Sequence, residues 1–446
     1  RQMAYYNPGV GDPDLMLARF EEYFTDVFTV ADKDESITFG DYDHYMIIHA
    51  GADWQHDRAG DSPHDMPSFF INVGDGKEVV VDDGATTIRN ASNIPETITQ
   101  DVREEDGVFF NYGVINAVMV HEFGHSLGFV DLYNTSDNSP GVGYYDIMDS
   151  GGSVLAGTGF KDIDGGYYIE GMNPVFPGAF SRIIAFEDFY RANGMLKDIS
   201  ELPFGEDITV LPIGKKYNLA DLDDSTVFIV KIPLSDSEYL LVENRQVDPD
   251  GDGGMRPICG LASSIGKRVV LGPSSMDKYD TNFNYEYDWL LPGWLDSEGN
   301  EFGGGLLVWH VDEKLLYENN NFENNTVNTN YYRRAVKILE ADDIDDIANQ
   351  YSHFWQGTVY DPFFKYQPII DERGFFEGWD NQYQTNPDGS VEFVGKIAGD
   401  ELSASSSPRL VTNDGTPSIF RLYDISSYDI NYHAPNSGFE GRVLTF

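Results

Sequence analysis

The chain has 446 residues, of which 41% are hydrophobic and 14% aromatic, enough for a sizeable core and, by length, roughly two or three domains. Its 75 acidic and 29 basic residues give a net charge of -46, a surface that repels phosphate backbones and anionic lipid and so argues against nucleic acid as a partner. No stretch is apolar for long enough to span a membrane, and Cys259, the only cysteine, can form no internal disulfide.

The first residues, from Arg1 and Gln2, carry no charged-then-apolar leader pattern, as expected either of a mature product of cleavage or of a piece cut from a longer chain. Residues 14–30 place Leu15, Leu17, Phe20, Tyr23 and Phe24 at the spacing of an amphipathic helix. Residues 43–49, 68–73 and 78–81 read as short strands, and 52–66 as a polar loop. Residues 113–127 form the clearest helix. Val114, Ile115, Ala117, Val118, Met119, Val120, Phe123 and Leu127 make it apolar nearly all round, so it is expected to be buried. Residues 132–172 are rich in Gly, Asp, Asn and Ser and read as irregular, 180–190 as a helix. Beyond Pro203 the texture changes: 208–211, 226–232, 239–243, 306–311 and 336–339 read as strands between turn-rich segments. Residues 319–325, rich in Asn, read as a surface loop.

The chemistry concentrates in His121-Glu122-Phe123-Gly124-His125-Ser126-Leu127-Gly128-Phe129-Val130-Asp131. Positions four apart lie on one helix face, so His121 and His125 can point ring nitrogens at one metal ion. Gly128 permits a left-handed exit, after which Asp131 can return as a third ligand. Three protein ligands leave one position open, the pattern of a catalytic rather than a structural zinc site. Zinc would lower the pKa of water from about 15.7 to about 7 and polarise a carbonyl. Glu122 beside it would act as general base. With only 9 histidines in the chain, a chance occurrence of this spacing is rare.

Residues 121–133, followed by residues 143–151 (GYYDIMDSG), resemble the immune inhibitor A family of secreted bacterial metallopeptidases, whose motif is HExxHxxGxxD followed by a turn carrying Met. Residues 39–51 (FGDYDHYMIIHAG), 238–246 (EYLLVENRQ) and 303–313 (GGGLLVWHVDE) resemble other segments of that family, so the likeness runs from about 39 to about 340. Val130 stands where the family usually has Pro, Asp149 where it commonly has Ser, and a long insertion precedes the GGGLLVWH segment. The resemblance implies an α+β zincin/metzincin-like catalytic domain, and the change of texture after Pro203 bounds it at 1–200, followed by a β-rich C-terminal domain over 201–446. It implies Met148 as the residue of the Met turn, protein or peptide substrates, and secretion. The competing reading is a catalytically inactive zincin-fold surface or structural binding protein. A further one is a zinc hydrolase acting on a non-peptide amide.

Two acidic stretches are candidate calcium sites. Asp248, Asp250 and Asp252 alternate with turn residues, but Cys259 stands where an EF-hand carries Glu. Asp32, Asp34, Ser36 and Asp43 have similar spacing, against which stands a solvated acidic turn. His49 and His310 end apolar strands and read as structural histidines. Tyr133, Tyr144 and Tyr145 are candidate oxyanion donors, although among 27 tyrosines packing is the better expectation for any one.

Overall fold

The computed structural model describes residues 1–152, 169–171, 174–247, 257–262, 267–273, 291–295, 301–363, 383–385, 391–393, 401–425 and 444–445, a few single positions within these excepted, together with Pro249 and Asp288. They combine helices and strands in a mixed α+β structure. The chain divides into two compact units, one formed by 1–129 with 155–174 and the other by 130–154 with 175–446.

The first unit is organised by the helix Pro13–Ala31. Pro13 stands at its first turn and the Asp12 side chain accepts a hydrogen bond from the Leu15 amide, satisfying an end that would otherwise leave its donors unpaired. Phe20, Phe24 and Phe28, four apart, form its buried stripe. They pack with Phe39, Met66, Ile71, Val79, Val81 and Ile88. A three-stranded sheet lies in the order Met46–His49, Asn90–Pro95, Phe69–Asn72, the first pair parallel and the second antiparallel.

The central strand of that sheet, with sequence NASNIP, was not legible as a strand, because Asn and Ser are poor strand formers. Its buried polar groups are satisfied individually. Asn93 accepts from the Tyr23 hydroxyl at 3.0 Å and donates to the Pro67 carbonyl at 2.7 Å. The Ser92 hydroxyl donates to the Glu122 carbonyl at 2.9 Å. The last bond fixes the helix Asn116–Ser126 to the middle of the sheet.

That helix departs from the expectation of full burial. Ala117, Glu122 and Gly124 are buried, whereas Val120, Phe123 and Leu127 are 37%, 39% and 38% exposed. At spacings of three and four they share one face, and the packing partners on the sheet engage the other side. Apolarity all round therefore did not translate into burial all round.

The second unit contains a six-stranded sheet whose path runs Gly293–Leu295, Glu301–Asp312, Glu238–Gln246, Ile229–Pro233, Leu196–Asp198, with Val336–Ile338 pairing to Glu301–Asp312. Its two long central strands are antiparallel and pair from Glu238–Asp312 to Gln246–Gly304. One face carries an apolar cluster including Val230, Leu240, Val242, Leu306, Val308 and Phe363. The other carries a buried polar network. Glu243 accepts from the Ala179 amide at 3.0 Å and the Trp309 ring at 2.7 Å and pairs with Arg182. Arg245 bridges Asp288 and the carbonyls of Tyr145 and Phe176. The ENR and WH residues of the two strands are thus architectural.

Candidate metal centre

The helix Asn116–Ser126 ends in a geometry that Gly128 makes feasible. The Gly128 amide donates to His125 O at 3.0 Å and the Phe129 amide to Gly124 O at 3.1 Å. Together these are the paired bonds of a Schellman turn. Gly128 has φ +96°, a conformation that costs a side-chain-bearing residue dearly. The reversal brings the chain back within three residues. His121, His125 and Asp131 each then offer a donor atom within 4.8 Å of the other two.

The histidine rings lie 5.1 Å apart at an interplanar angle of 86°. His125 Nδ1 is 3.0 Å from the Phe129 carbonyl. A carbonyl only accepts, so Nδ1 carries the proton and Nε2 keeps its lone pair for a metal. Phe70 lies against the same imidazole, 5.7 Å between centroids. His44 packs edge-on to Phe123 at 4.8 Å and meets the Ser126 hydroxyl through Nδ1, steadying the last turn of the helix. Glu122 is buried, 6% exposed.

Asp131 is held by a residue that sequence reasoning assigned to a surface loop. Asn325 accepts from the Asp131 amide at 2.6 Å through Oδ1 and donates to Asp131 Oδ2 through Nδ2. Asn325 itself has φ +56°, which Asn tolerates better than most residues. Asn328 extends the clamp by donating to the carbonyls of Leu132 and Val336 at 2.8 and 2.9 Å. No motif at 319–328 signals this role; only the fold brings the segment to Asp131.

Met148 is fully buried, and its carbonyl accepts from the Leu132 amide at 2.9 Å, so the turn around it is bonded to the residue that follows Asp131. Asp146 shapes that turn. It accepts from the amides of Met148 and Gly178 and from the Ser181 hydroxyl, each at 2.8 Å. Burial pushes its carboxyl up to about 6 against these hydrogen bonds. Asp149 gathers the amides of Gly141, Val142 and Gly143 at 2.7, 2.7 and 3.0 Å, a task that the short hydroxyl of Ser would not perform three times over. The hydroxyls of Tyr144 and Tyr145 are engaged by Gln356 and by Thr358 and Asp361, in line with packing roles for both.

His49 is buried with Nδ1 3.1 Å from the Ala50 carbonyl, and His310 is buried with Nε2 2.8 Å from Glu238. Neither belongs to a metal-compatible group among the described residues. Burial holds the His310 imidazole below its ordinary pKa in spite of that carboxylate. Asp34 accepts from the Ser36 amide and hydroxyl at 3.0 and 2.7 Å, and Asp32 from the Asp82 amide at 2.8 Å. These exposed residues form turn bonds, and neither they nor Asp43 belong to a metal-compatible group among the described residues. Asp248, Asp250 and Asp252 lie outside the described residues.

Two imidazoles and a carboxylate form a borderline donor set of the kind that holds zinc. The tautomer imposed on His125 leaves the correct nitrogen available, so the residues present fit such an ion. Among the described residues no helix is long and apolar enough to cross a membrane. Residues 29–165, which include His121, His125, Asp131 and Met148, match the family model for the immune inhibitor A peptidase M6 catalytic domain. A comparison with curated proteins gave no match.

Proposed function

We propose that this chain, whose residues 29–165 match the immune inhibitor A peptidase catalytic domain, is a secreted zinc-dependent endopeptidase. The observation that carries the reading is the convergence of His121, His125 and Asp131 within 4.8 Å beside a buried Glu122. When bound, zinc supplies Lewis acidity, which acidifies water and polarises the scissile carbonyl. Glu122 takes the proton of the attacking water and delivers it to the leaving amine. His125 is oriented by Phe129 and Asp131 by Asn325. Met148 is the residue of the Met turn. In this reading residues 1–200 form a zincin/metzincin-like catalytic domain and 201–446 a β-rich C-terminal domain. The substrates are proteins or peptides. Secretion is inferred from family resemblance and the acidic, cysteine-poor composition. Calcium at Asp248, Asp250 and Asp252 rests on their alternating spacing alone.

The intact ligand set with its base disfavours an inactive binding protein. The test is digestion of casein by the purified chain, before and after chelation, with zinc added back. Turnover should vanish with the metal and return with zinc. Turnover indifferent to the chelator would exclude the metal mechanism. A zinc-loaded chain that leaves casein and gelatin intact would favour the binding-protein reading.

A further inference from the structure

A second group of acidic side chains lies far from the histidine motif in sequence and was invisible there. Glu340, Asp346 and Asp361 each place a carboxylate oxygen within 4.8 Å of the other two. All three are buried, 5%, 4% and 0% exposed. Asp342, 1% exposed, stands next to them in the chain.

Ionised carboxylates at this separation repel one another strongly in a low-dielectric interior. A buried group of like charge therefore needs cations, protons or a bound ion. None of the ion pairs among the described residues involves Glu340, Asp346 or Asp361. Arg334, the arginine closest to them in sequence, is occupied by the carbonyls of Gly141 and Ile347 and by Asp345.

Two of the three carboxylates nevertheless accept hydrogen bonds from fixed donors. Glu340 Oε2 accepts from the amides of Asp346 and Ile347 at 2.9 and 3.3 Å. Asp361 accepts from the Thr358 amide at 2.6 Å and hydroxyl at 3.2 Å, and from the Tyr145 hydroxyl at 3.0 Å. Asp346 differs: its Oδ1 is buried and meets no hydrogen-bond donor among the described residues. Leaving a buried carboxylate oxygen without a partner is costly, and a cation would satisfy it.

We propose that Glu340, Asp346 and Asp361 form a binding site for a calcium-class divalent cation. The donor set is all oxygen, which selects a hard ion and not zinc. Calcium takes six to eight oxygens at about 2.3–2.6 Å, and oxygens within 4.8 Å of one another can share one such ion. Magnesium gives up its water reluctantly, which a group this buried disfavours. The ion would cross-link the loop 340–346 to Asp361 and, through the Tyr145 hydroxyl, to the segment that carries Met148.

The test uses the full chain, stripped of metal and then reloaded with zinc alone. Calcium chloride should raise its melting temperature saturably, by mass action on the folded state, and equilibrium dialysis should show the ion bound. Magnesium at equal concentration should do markedly less. Asp346→Asn and Glu340→Gln should each lose most of the calcium-induced shift. They should also melt higher than the wild type in the absence of calcium, because each removes one uncompensated charge. A variant with Asp248, Asp250 and Asp252 all changed to Asn should keep the shift. No shift in the wild type would mean that protons hold the group together. A full shift in Asp346→Asn and Glu340→Gln, or calcium rescue of either variant if it folds poorly, would place the ion elsewhere. Either result overturns the proposal.

Discussion

The two groups of metal-compatible side chains differ in how they are encoded. His121, His125 and Asp131 come from one run of chain in which helix pitch and a glycine exit create the geometry. Glu340, Asp346 and Asp361 come from separate segments of chain, with Thr358 and Tyr145 orienting Asp361 and the amides of Asp346 and Ile347 orienting Glu340. The first group mixes nitrogen and oxygen donors and has a buried carboxylate beside it that can move a proton. The second has only oxygen donors. A local site can be recognised from spacing because spacing determines which atoms face one another. A site assembled from distant segments cannot, and chemistry must be read from burial and unmet hydrogen-bonding capacity instead.

The sharpest way to separate the two is Glu122→Gln. Gln is nearly isosteric and keeps helix propensity, and Glu122 is not among the three ligands. Zinc content and melting temperature should be unchanged, while peptide turnover should fall by about 10⁴-fold, at the top of the range for general acid–base catalysis, since in the proposed mechanism one residue serves both proton transfers. Metal analysis and turnover on one sample decide it. Normal turnover would remove Glu122 as the base. Lost zinc would make it a ligand and reopen the place of Asp131.

What the sequence revealed follows the same division. The helix Pro13–Ala31, the strands Glu238–Gln246 and Glu301–Asp312 and the histidine helix were legible because each carries a strong local pattern. The strand Asn90–Pro95 was not, since its Ser92 and Asn93 are stabilised by partners at Glu122, Tyr23 and Pro67. Asn325 was not, because nothing within an Asn-rich stretch distinguishes the one that clamps Asp131. The exposed Val120, Phe123 and Leu127 show the reverse error, in which composition promised burial that the packing does not provide.

A second prediction concerns Asp146, which holds the turn around Met148 without belonging to either group. Its folded pKa, about 6, is raised from 3.8 by burial. The folded state therefore binds this proton more tightly than the unfolded chain. No penalty applies below about pH 4; it grows through the window up to about pH 6 and is complete above it, reaching about 2–3 kcal/mol. Denaturant melts of wild type and Asp146→Asn across this window should give a stability difference that shifts against the wild type as pH rises. Parallel pH curves would show that Asp146 ionises freely. A third, smaller effect is expected at the local site. Asn325→Ala should weaken zinc retention by about 10–100-fold, the usual consequence of removing a residue that orients a ligand, and leave the calcium response alone. Competition with a zinc chelator measures it, and unchanged retention would show that Asp131 needs no clamp.

The smallest effect is expected from Tyr145→Phe, and it bears on whether the two groups act independently. Tyr145 lies three residues before Met148, and its hydroxyl bonds to Thr358 O and Asp361 Oδ2. The ring is buried, 1% exposed, and Phe preserves its packing, so only hydrogen bonding is lost. That should cost about 1 kcal/mol of stability. The loss should be larger in calcium-free protein, where Asp361 has the fewest groups to balance its charge. Because the hydroxyl is committed to the acidic group, zinc content and peptide turnover should be little changed. Thermal melts with and without calcium, alongside turnover of the zinc-loaded enzyme, make the measurement. A large fall in turnover at full zinc content would place the Tyr145 hydroxyl at the reaction as an oxyanion donor. A loss of zinc would show instead that the acidic group supports the histidine site through the Met turn, so that the two cannot be treated as separate.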